Sequence, residues 1–100
     1  MTTEELSTLE DDVLATIVDS TLIGITGTYQ SGHFIIRVTR PQMITTITMT
    51  DILNGNIIVK KREWHQLMYA NDPQGMLKAD INKMTSALNK AYSEGQEVAG

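Results

Sequence analysis

A chain of 100 residues, of which 41% are apolar, has the length and composition of one small domain, and we expect 1–100 to form a single unit. It contains no cysteine, which excludes disulfides, thiolate nucleophiles, zinc ribbons and iron–sulfur clusters. The net charge of −4 is uneven: residues 1–20 carry six acidic and no basic side chains, whereas 21–71 carry five basic and two acidic ones.

The first residues and the apolar stretches indicate whether the chain is secreted or inserted into a membrane. The opening segment, MTTEELSTLEDD, carries acidic side chains where a secretory signal needs a positive segment followed by an apolar one. The longest apolar stretches, TLIGITG and HFIIRV, are far shorter than the roughly 18 residues that span a bilayer. We therefore expect no membrane partner and a cytoplasmic, intracellular location.

The first predicted element is an amphipathic helix over residues 2–19. Its apolar residues recur at steps of three and four: Leu6, Leu9, Val13 and Ile17. Two capping boxes fit its start, Thr2 with Glu5 or Ser7 with Glu10, and both stay open. Acidic residues crowd the early turns, where they suit the positive end of the helix dipole.

The middle of the chain is predicted to form an antiparallel meander, because the period changes to two and β-branched residues dominate. The predicted strands are 21–29, 33–40, 43–50 and a shorter one at 56–61. Along the second strand, alternate residues are apolar and are expected in the core: Phe34, Ile36 and Val38. The opposite face of that strand carries Ile35, Arg37 and Thr39.

The segment DILNG, between the third and fourth strands, fits two different turns. Asn54-Gly55 is typical of a type I′ hairpin. Alternatively, Thr50 ahead of Asp51 caps a single helical turn that ends at Gly55. The sequence leaves both alternatives open.

Two helices are predicted after the fourth strand. The first has apolar residues three and four apart: Trp64, Leu67 and Met68. The segment NDPQG interrupts it, and Asp72-Pro73 predicts a new start, because Asp caps a helix and Pro tolerates its first position. This last helix is predicted over 73–94 and ended by Gly95, with a disordered tail at 96–100.

The order α-β-β-β-(β)-α-α predicts an α+β fold of two layers. We expect a three- to four-stranded antiparallel meander, with an N-terminal helix and two C-terminal helices that cover one face of the sheet.

The segment VKKREWHQL, residues 59–67, concentrates the charged and aromatic side chains that chemistry uses. We interpret it first as a strand-to-helix junction. His65 lies two positions from Glu63 and four from Tyr69, so a helix would bring His65 near Tyr69 and direct Glu63 elsewhere. No metal-ligand spacing and no nucleophile motif occurs, so we predict a non-enzymatic protein without catalytic, metal or cofactor-binding residues and without a cofactor.

A basic patch is the second candidate site. Its residues would lie together if the second and fourth strands are close: Arg37, Arg40, Lys60, Lys61 and Arg62, with Trp64 as a stacking face. Such a patch predicts binding to nucleic acid or another anionic ligand. The sequence pI of about 4.9 counts against this function, which therefore stays the alternative hypothesis.

The leading hypothesis is a small protein-interaction module, such as a regulator, adaptor, inhibitor or chaperone-like assembly factor, that acts as a homo-oligomer and most simply as a homodimer. Helices on one side of the sheet leave the other side free, and its isoleucines then need a polypeptide partner. The candidate interaction residues are Ile23, Ile25, Ile35, Ile44 and Ile58.

Overall fold

The structure, a computed structural model, describes the backbone of residues 9–99 and the side chains of residues 9–91. Its helices are α1 (Asp11–Leu22), α2 (Trp64–Met68) and α3 (Pro73–Ala99). Its strands are β1 (Gly27–Ser31), β2 (Phe34–Thr39), β3 (Ile44–Asp51) and β4 (Ile57–Glu63), and a 3₁₀ turn, Pro41–Met43, joins β2 to β3. This order confirms the predicted α+β fold.

The four strands form one antiparallel meander in the spatial order β1-β2-β3-β4. Ile36 lies opposite Tyr29 on one side and Met49 on the other, and Met49 in turn lies opposite Ile58. This row runs through the buried face of the sheet, where Ile36 and Met49 are fully buried. The alternation predicted for β2 is therefore confirmed.

All described helices contribute to the layer on that buried face. α1 packs against β1 and α3, whereas α3 packs against β3 and β4. The core combines residues of both layers: Leu9, Ile17, Val18, Phe34, Ile36, Val38, Ile47, Met49, Leu67, Leu77, Ile81, Met84 and Leu88. The opposite face of the sheet has no described helix packed on it, so the fold has two layers and one uncovered side.

The first described helix ends later than predicted, at Leu22, and the predicted start at residue 2 lies outside the described residues. It starts at Asp11 after the N-cap Glu10, and both predicted capping boxes use residues 1–8, which lie outside the described residues. It ends in a Schellman motif: the N–H of Ile25 donates to the C=O of Ser20 at 2.9 Å, and Gly24 adopts φ +84°. The strand predicted over 21–29 is therefore wrong in its first part, since β1 begins only at Gly27.

The connection between β3 and β4 is closed by Asp51, which is fully buried. Its carboxylate accepts a hydrogen bond from the N–H of Leu53 at 2.9 Å, and its C=O accepts one from the N–H of Gly55 at 2.6 Å. This five-residue turn ends at Gly55 with φ +74°, while Asn54 does not adopt positive φ. The loop is therefore not a type I′ turn: it is a single i→i+4 turn inside the β3–β4 hairpin, and Asp51 rather than Thr50 caps it.

The starts of the two C-terminal helices follow from local sequence. Glu63 and Gln66 form a reciprocal capping box at α2. Asp72 accepts a hydrogen bond from the N–H of Gly75 at 3.0 Å, which confirms the predicted start of α3. The end predicted at Gly95 is wrong, because α3 continues to Ala99; the disorder predicted for 96–100 stays a prediction.

Candidate functional site

One face of the sheet is left uncovered by the described helices, and we call it the open face. Because side chains alternate along each strand, its members follow from the cross-strand pairing. They are Thr28 and Gln30 of β1, Ile35, Arg37 and Thr39 of β2, Ile44, Thr46, Thr48 and Thr50 of β3, and Ile57, Val59, Lys61 and Glu63 of β4. The open face is thus a mixed surface of threonine, aliphatic and charged side chains.

An apolar corner, defined as Ile35, Ile57 and Val59, lies at the end of the open face nearest the β3–β4 turn. Ile57 is 62% exposed and Val59 is 48% exposed, which is high for such large aliphatic side chains. The turn itself adds Ile52 and Leu53, which are also exposed. These side chains concentrate exposed apolar surface at one end of the sheet, as protein-binding surfaces do.

Three threonines of β3, Thr46, Thr48 and Thr50, run through the centre of the open face. Each is half-buried, since β3 is flanked by strands on both sides. Their methyl groups can pack against an apolar partner and their hydroxyls can form hydrogen bonds. Burying these three threonines in an interface therefore costs less desolvation free energy than burying charged side chains would.

The predicted interaction residues are not all on one surface. Ile35 and Ile44 lie on the open face and are half-buried. Ile58 lies on the covered face, where it is half-buried against the core, and its part in an interaction surface stays a prediction. Ile23 and Ile25 are exposed in the connection between α1 and β1, away from the strands.

Ile57 and Val59 were missed by the sequence analysis. The predicted strand at 56–61 already contained both, and their alternation with Lys60 would have assigned them to the same face as Lys61. What the sequence does not say is which face of an edge strand the helices cover, because β4 carries apolar and charged residues on both faces.

The predicted basic patch is divided between the two faces of the sheet. Arg37 and Lys61 lie on the open face, but β3 separates their strands. Lys60 and Arg62 point to the covered side, toward α3. The structure therefore does not bring the five cations together.

Arg40 and Trp64 form a separate contact near the start of α2. The guanidinium carbon of Arg40 lies 4.3 Å from the centroid of the Trp64 ring, which is a cation–π interaction. The same guanidinium also lies over Gly24, where a Cβ atom would collide with it. Arg40 thus connects the end of β2 to α2 and to the end of α1. It also covers the face of the Trp64 ring, which was expected to stack on a ligand.

Arg62 is the most firmly held of the basic residues. Its Nε and Nη2 donate to the two carboxylate oxygens of Asp80 at 2.5 and 3.0 Å. Asp80 is buried on α3, so this bidentate ion pair joins β4 to α3. The hydrogen bonds to Asp80 raise the pKa of Arg62 above its ordinary value, although its partial burial acts in the opposite direction. The role of Arg62 is therefore structural.

The junction segment VKKREWHQL contains a close acid–base pair. His65 Nε2 lies 3.0 Å from Glu63 Oε2, so the expectation that Glu63 points away from His65 is wrong. The reason is that Glu63 is the N-cap of α2, where extended backbone geometry turns its side chain back over the first turn. Both side chains are more than half exposed, at 57% and 66%, which favours the capping role over proton transfer.

An open cavity of about 380 Å³ adjoins this pair. It is lined by Gln42, Met43, Ile44, Glu63, Trp64 and His65. Gln42 and Met43 have φ of +53° and +67°, and consecutive non-glycine residues in this region store backbone strain. Within the described residues, no group of three or more His, Cys, Asp or Glu side chains could hold a metal ion.

Comparisons with known proteins add no function to this geometry. No family model matches the chain, and neither the curated proteins nor the solved structures contain a significant match. Among the described helices, none combines the length and the apolarity that crossing a bilayer requires.

Proposed function

We propose that the protein is a small protein-interaction module that acts as a homodimer through the open face of its sheet. The observation that carries this proposal is the apolar corner: Ile57 and Val59 are 62% and 48% exposed beside Ile35 on a face without a helix. A regulator, an adaptor and a chaperone-like factor would each use such a module.

A second copy suits this face because the face is mixed in charge. It carries Arg37 and Lys61 together with Glu63, so two copies can meet without uniform repulsion. Aliphatic side chains occur at both ends of it, with Ile57 and Val59 near one end and Ile44 near the other. An isologous interface needs this kind of self-complementary surface.

The size of the open face predicts a weak dimer. With strands about 4.8 Å apart and same-face side chains about 7 Å apart along a strand, roughly a dozen positions cover on the order of 400 Å². A stable specific interface covers about 800 Å² per partner. We therefore expect a dissociation constant in the micromolar range or weaker, with exchange between monomer and dimer.

Sedimentation velocity across a dilution series tests the proposal. The wild-type 100-residue chain should pass from monomer to dimer as its concentration rises, whereas Ile57→Lys should stay monomeric over the same range. Ile23→Lys is the matched control, because Ile23 is 73% exposed but lies off the open face. A wild-type chain that is monomeric at every concentration, or a dimer that Ile23→Lys disrupts and Ile57→Lys does not, contradicts the proposal.

The alternative, binding to nucleic acid or another anion, receives less support from the same residues. Arg62 is neutralised by Asp80, and the Trp64 ring is covered by Arg40. The remaining cations, Arg37, Lys60 and Lys61, lie on different faces or strands. A mobility shift that is absent at low salt would exclude this alternative, since counterion release favours binding there.

A further inference from the structure

The outer edge of β4 has backbone groups that no described strand uses. β4 is the last strand of the sheet, and its only strand neighbour is β3. The N–H of Asp51 donates to the C=O of Asn56 at 2.9 Å. Because hydrogen-bonded pairs alternate along an antiparallel ladder, the backbone N–H and C=O groups of Ile58, Lys60 and Arg62 point toward β3. The N–H and C=O groups of Ile57, Val59 and Lys61 therefore point away from the sheet.

A groove runs beside this edge, between β4 and α3, with a volume of about 300 Å³. Its apolar surface comes from Ile58, Met84 and Ala87, and its cationic side chains are Lys60 and Lys83. Asp80 also lines it, but both of its carboxylate oxygens accept hydrogen bonds from Arg62. A strand added to β4 would direct alternate side chains into this groove and onto the open face.

The charges at this edge favour an acidic partner. Lys60, Lys61 and Lys83 form no ion pair with any described residue. Along β4 the order is apolar at residues 57–59 and cationic at 60–62. A complementary strand is therefore apolar in one half and acidic in the other.

The two edges of the sheet, β1 and β4, differ in the charge that they present to an added strand. The edge strand β1 lies beside Asp12 in a shallow cavity that also contains Tyr29 and Gln30. An acidic strand added to β1 would meet the Asp12 carboxylate, whereas one added to β4 would meet lysines. A second copy of β4 fits the β4 edge poorly over its full length, because antiparallel pairing would set the cationic half of each strand opposite the apolar half of the other and Lys60 opposite Lys60.

We infer that the β4 edge and its groove bind an extended segment of another protein, apolar in one half and acidic in the other, which adds a fifth strand to the sheet. This inference names a partner for the proposed interaction module, and it does not depend on the dimer. The open-face variant Ile35→Lys changes the apolar corner on β2 and leaves the whole of β4 and all three lysines unchanged. It should therefore bind the segment even where the dimer is lost.

A fluorescein-labelled peptide with the sequence Glu-Glu-Glu-Val-Val-Val tests the inference by fluorescence anisotropy. Antiparallel pairing sets its glutamates opposite the cationic half of β4 and its valines opposite the apolar half. We expect saturable binding that weakens as salt is added, and little binding of the peptide in which lysines replace the glutamates. The double variant Lys60→Glu/Lys83→Glu should weaken binding by about tenfold or more.

Backbone pairing is tested separately from charge. Val59→Pro removes one outward N–H, a change that an edge strand tolerates, and should weaken binding of the peptide by about tenfold or more. Thr28→Pro is the matched control, since the pairing of β1 with β2 directs Thr28 outward at the opposite edge. The same peptide with N-methyl groups on alternate residues replaces this comparison if Val59→Pro does not fold.

Three results would overturn the inference. The first is the absence of saturable binding of the acidic peptide. The second is equal binding by Val59→Pro and the wild type, or of the N-methylated and the unmodified peptide. The third is equal binding of the acidic peptide and of the peptide in which lysines replace the glutamates, since the cationic half of β4 would then play no part in binding.

Discussion

Single residues set the ends of the elements in this fold. Gly24 ends α1 because its φ of +84° suits the position after the helix cap, and the hydrogen bonds of the Schellman motif then turn the chain toward β1. Asp51 closes the β3–β4 turn with its own carboxylate and C=O. These are local devices, so each can be tested by one substitution.

Replacement of Gly24 by alanine should lower the free energy of unfolding by more than replacement of Gly32. Both residues have positive φ, for which alanine costs about 1 to 2 kcal/mol. At Gly24 the new Cβ also meets the Arg40 guanidinium, whereas at Gly32 it meets open space. Displacing Arg40 from Trp64 should add about 0.5 to 1 kcal/mol.

Urea unfolding of both variants measures this difference, and Trp64 fluorescence serves as the probe because it is the only tryptophan. Gly24→Ala should also shift the native emission of Trp64, and Gly32→Ala should leave it unchanged. Equal destabilisation by both substitutions would argue against a role of Arg40 at this position.

Between elements, one ion pair holds the edge strand to the helix layer. Arg62 and Asp80 join β4 to α3 near the point where β4 ends and α2 begins. An arginine keeps its positive charge throughout the pH range in which proteins are handled, and the hydrogen bonds to Asp80, which raise the pKa of Arg62, favour the same charged state. The pair also keeps the Asp80 carboxylate occupied beside the groove where the acidic segment is inferred to bind.

Arg62→Met should lower the free energy of unfolding by about 2 kcal/mol, because it leaves the buried Asp80 carboxylate without its partner. Adding Asp80→Leu should restore most of that loss, since the double variant buries no unpaired charge. Lys60→Met is the control on the same face of β4. Urea unfolding of Arg62→Met, Asp80→Leu, their double variant, Lys60→Met and the wild type measures the coupling, and equal effects of Arg62→Met and Lys60→Met would contradict a structural role of the ion pair.

At the scale of the whole molecule, the uncovered side of the sheet is the feature that the proposed dimer depends on. Dimerisation couples stability to concentration, because a partner that binds only the folded state shifts the unfolding equilibrium. A ligand at ten times its dissociation constant adds about 1.4 kcal/mol, which for a domain of this size raises the melting temperature by on the order of 5 °C.

The melting temperature of the wild type should therefore rise by several degrees over a hundredfold increase in protein concentration. Ile57→Lys should melt at one temperature across the same range, because its charged side chain lies in the proposed interface. Circular dichroism at low and high concentration makes this measurement. A wild-type melting temperature that does not change with concentration would argue against the homodimer.

Much of this architecture could be predicted from periodicity. The change from a period of three and four to a period of two, and back again, identified the helices and the meander, since each period reports which side chains can share a face. The prediction failed between residues 21 and 26, where β-branched residues favoured a strand. Instead, α1 continues to Leu22 and is ended at Gly24, because the hydrogen bonds of the Schellman motif there outweigh the β propensity of these residues. The sequence contained this glycine, but the strand prediction did not use it as a helix end.

The sequence by itself determined the order of the elements, the inward face of β2 and the start of α3, because these depend on neighbouring residues. Only the tertiary structure decided that Arg62 meets Asp80, that Arg40 covers Trp64, and that the basic residues are divided between two faces. These outcomes depend on which strand lies at the edge and which face the helices cover. Both are contacts between segments far apart in the chain, and no local pattern of residues encodes them.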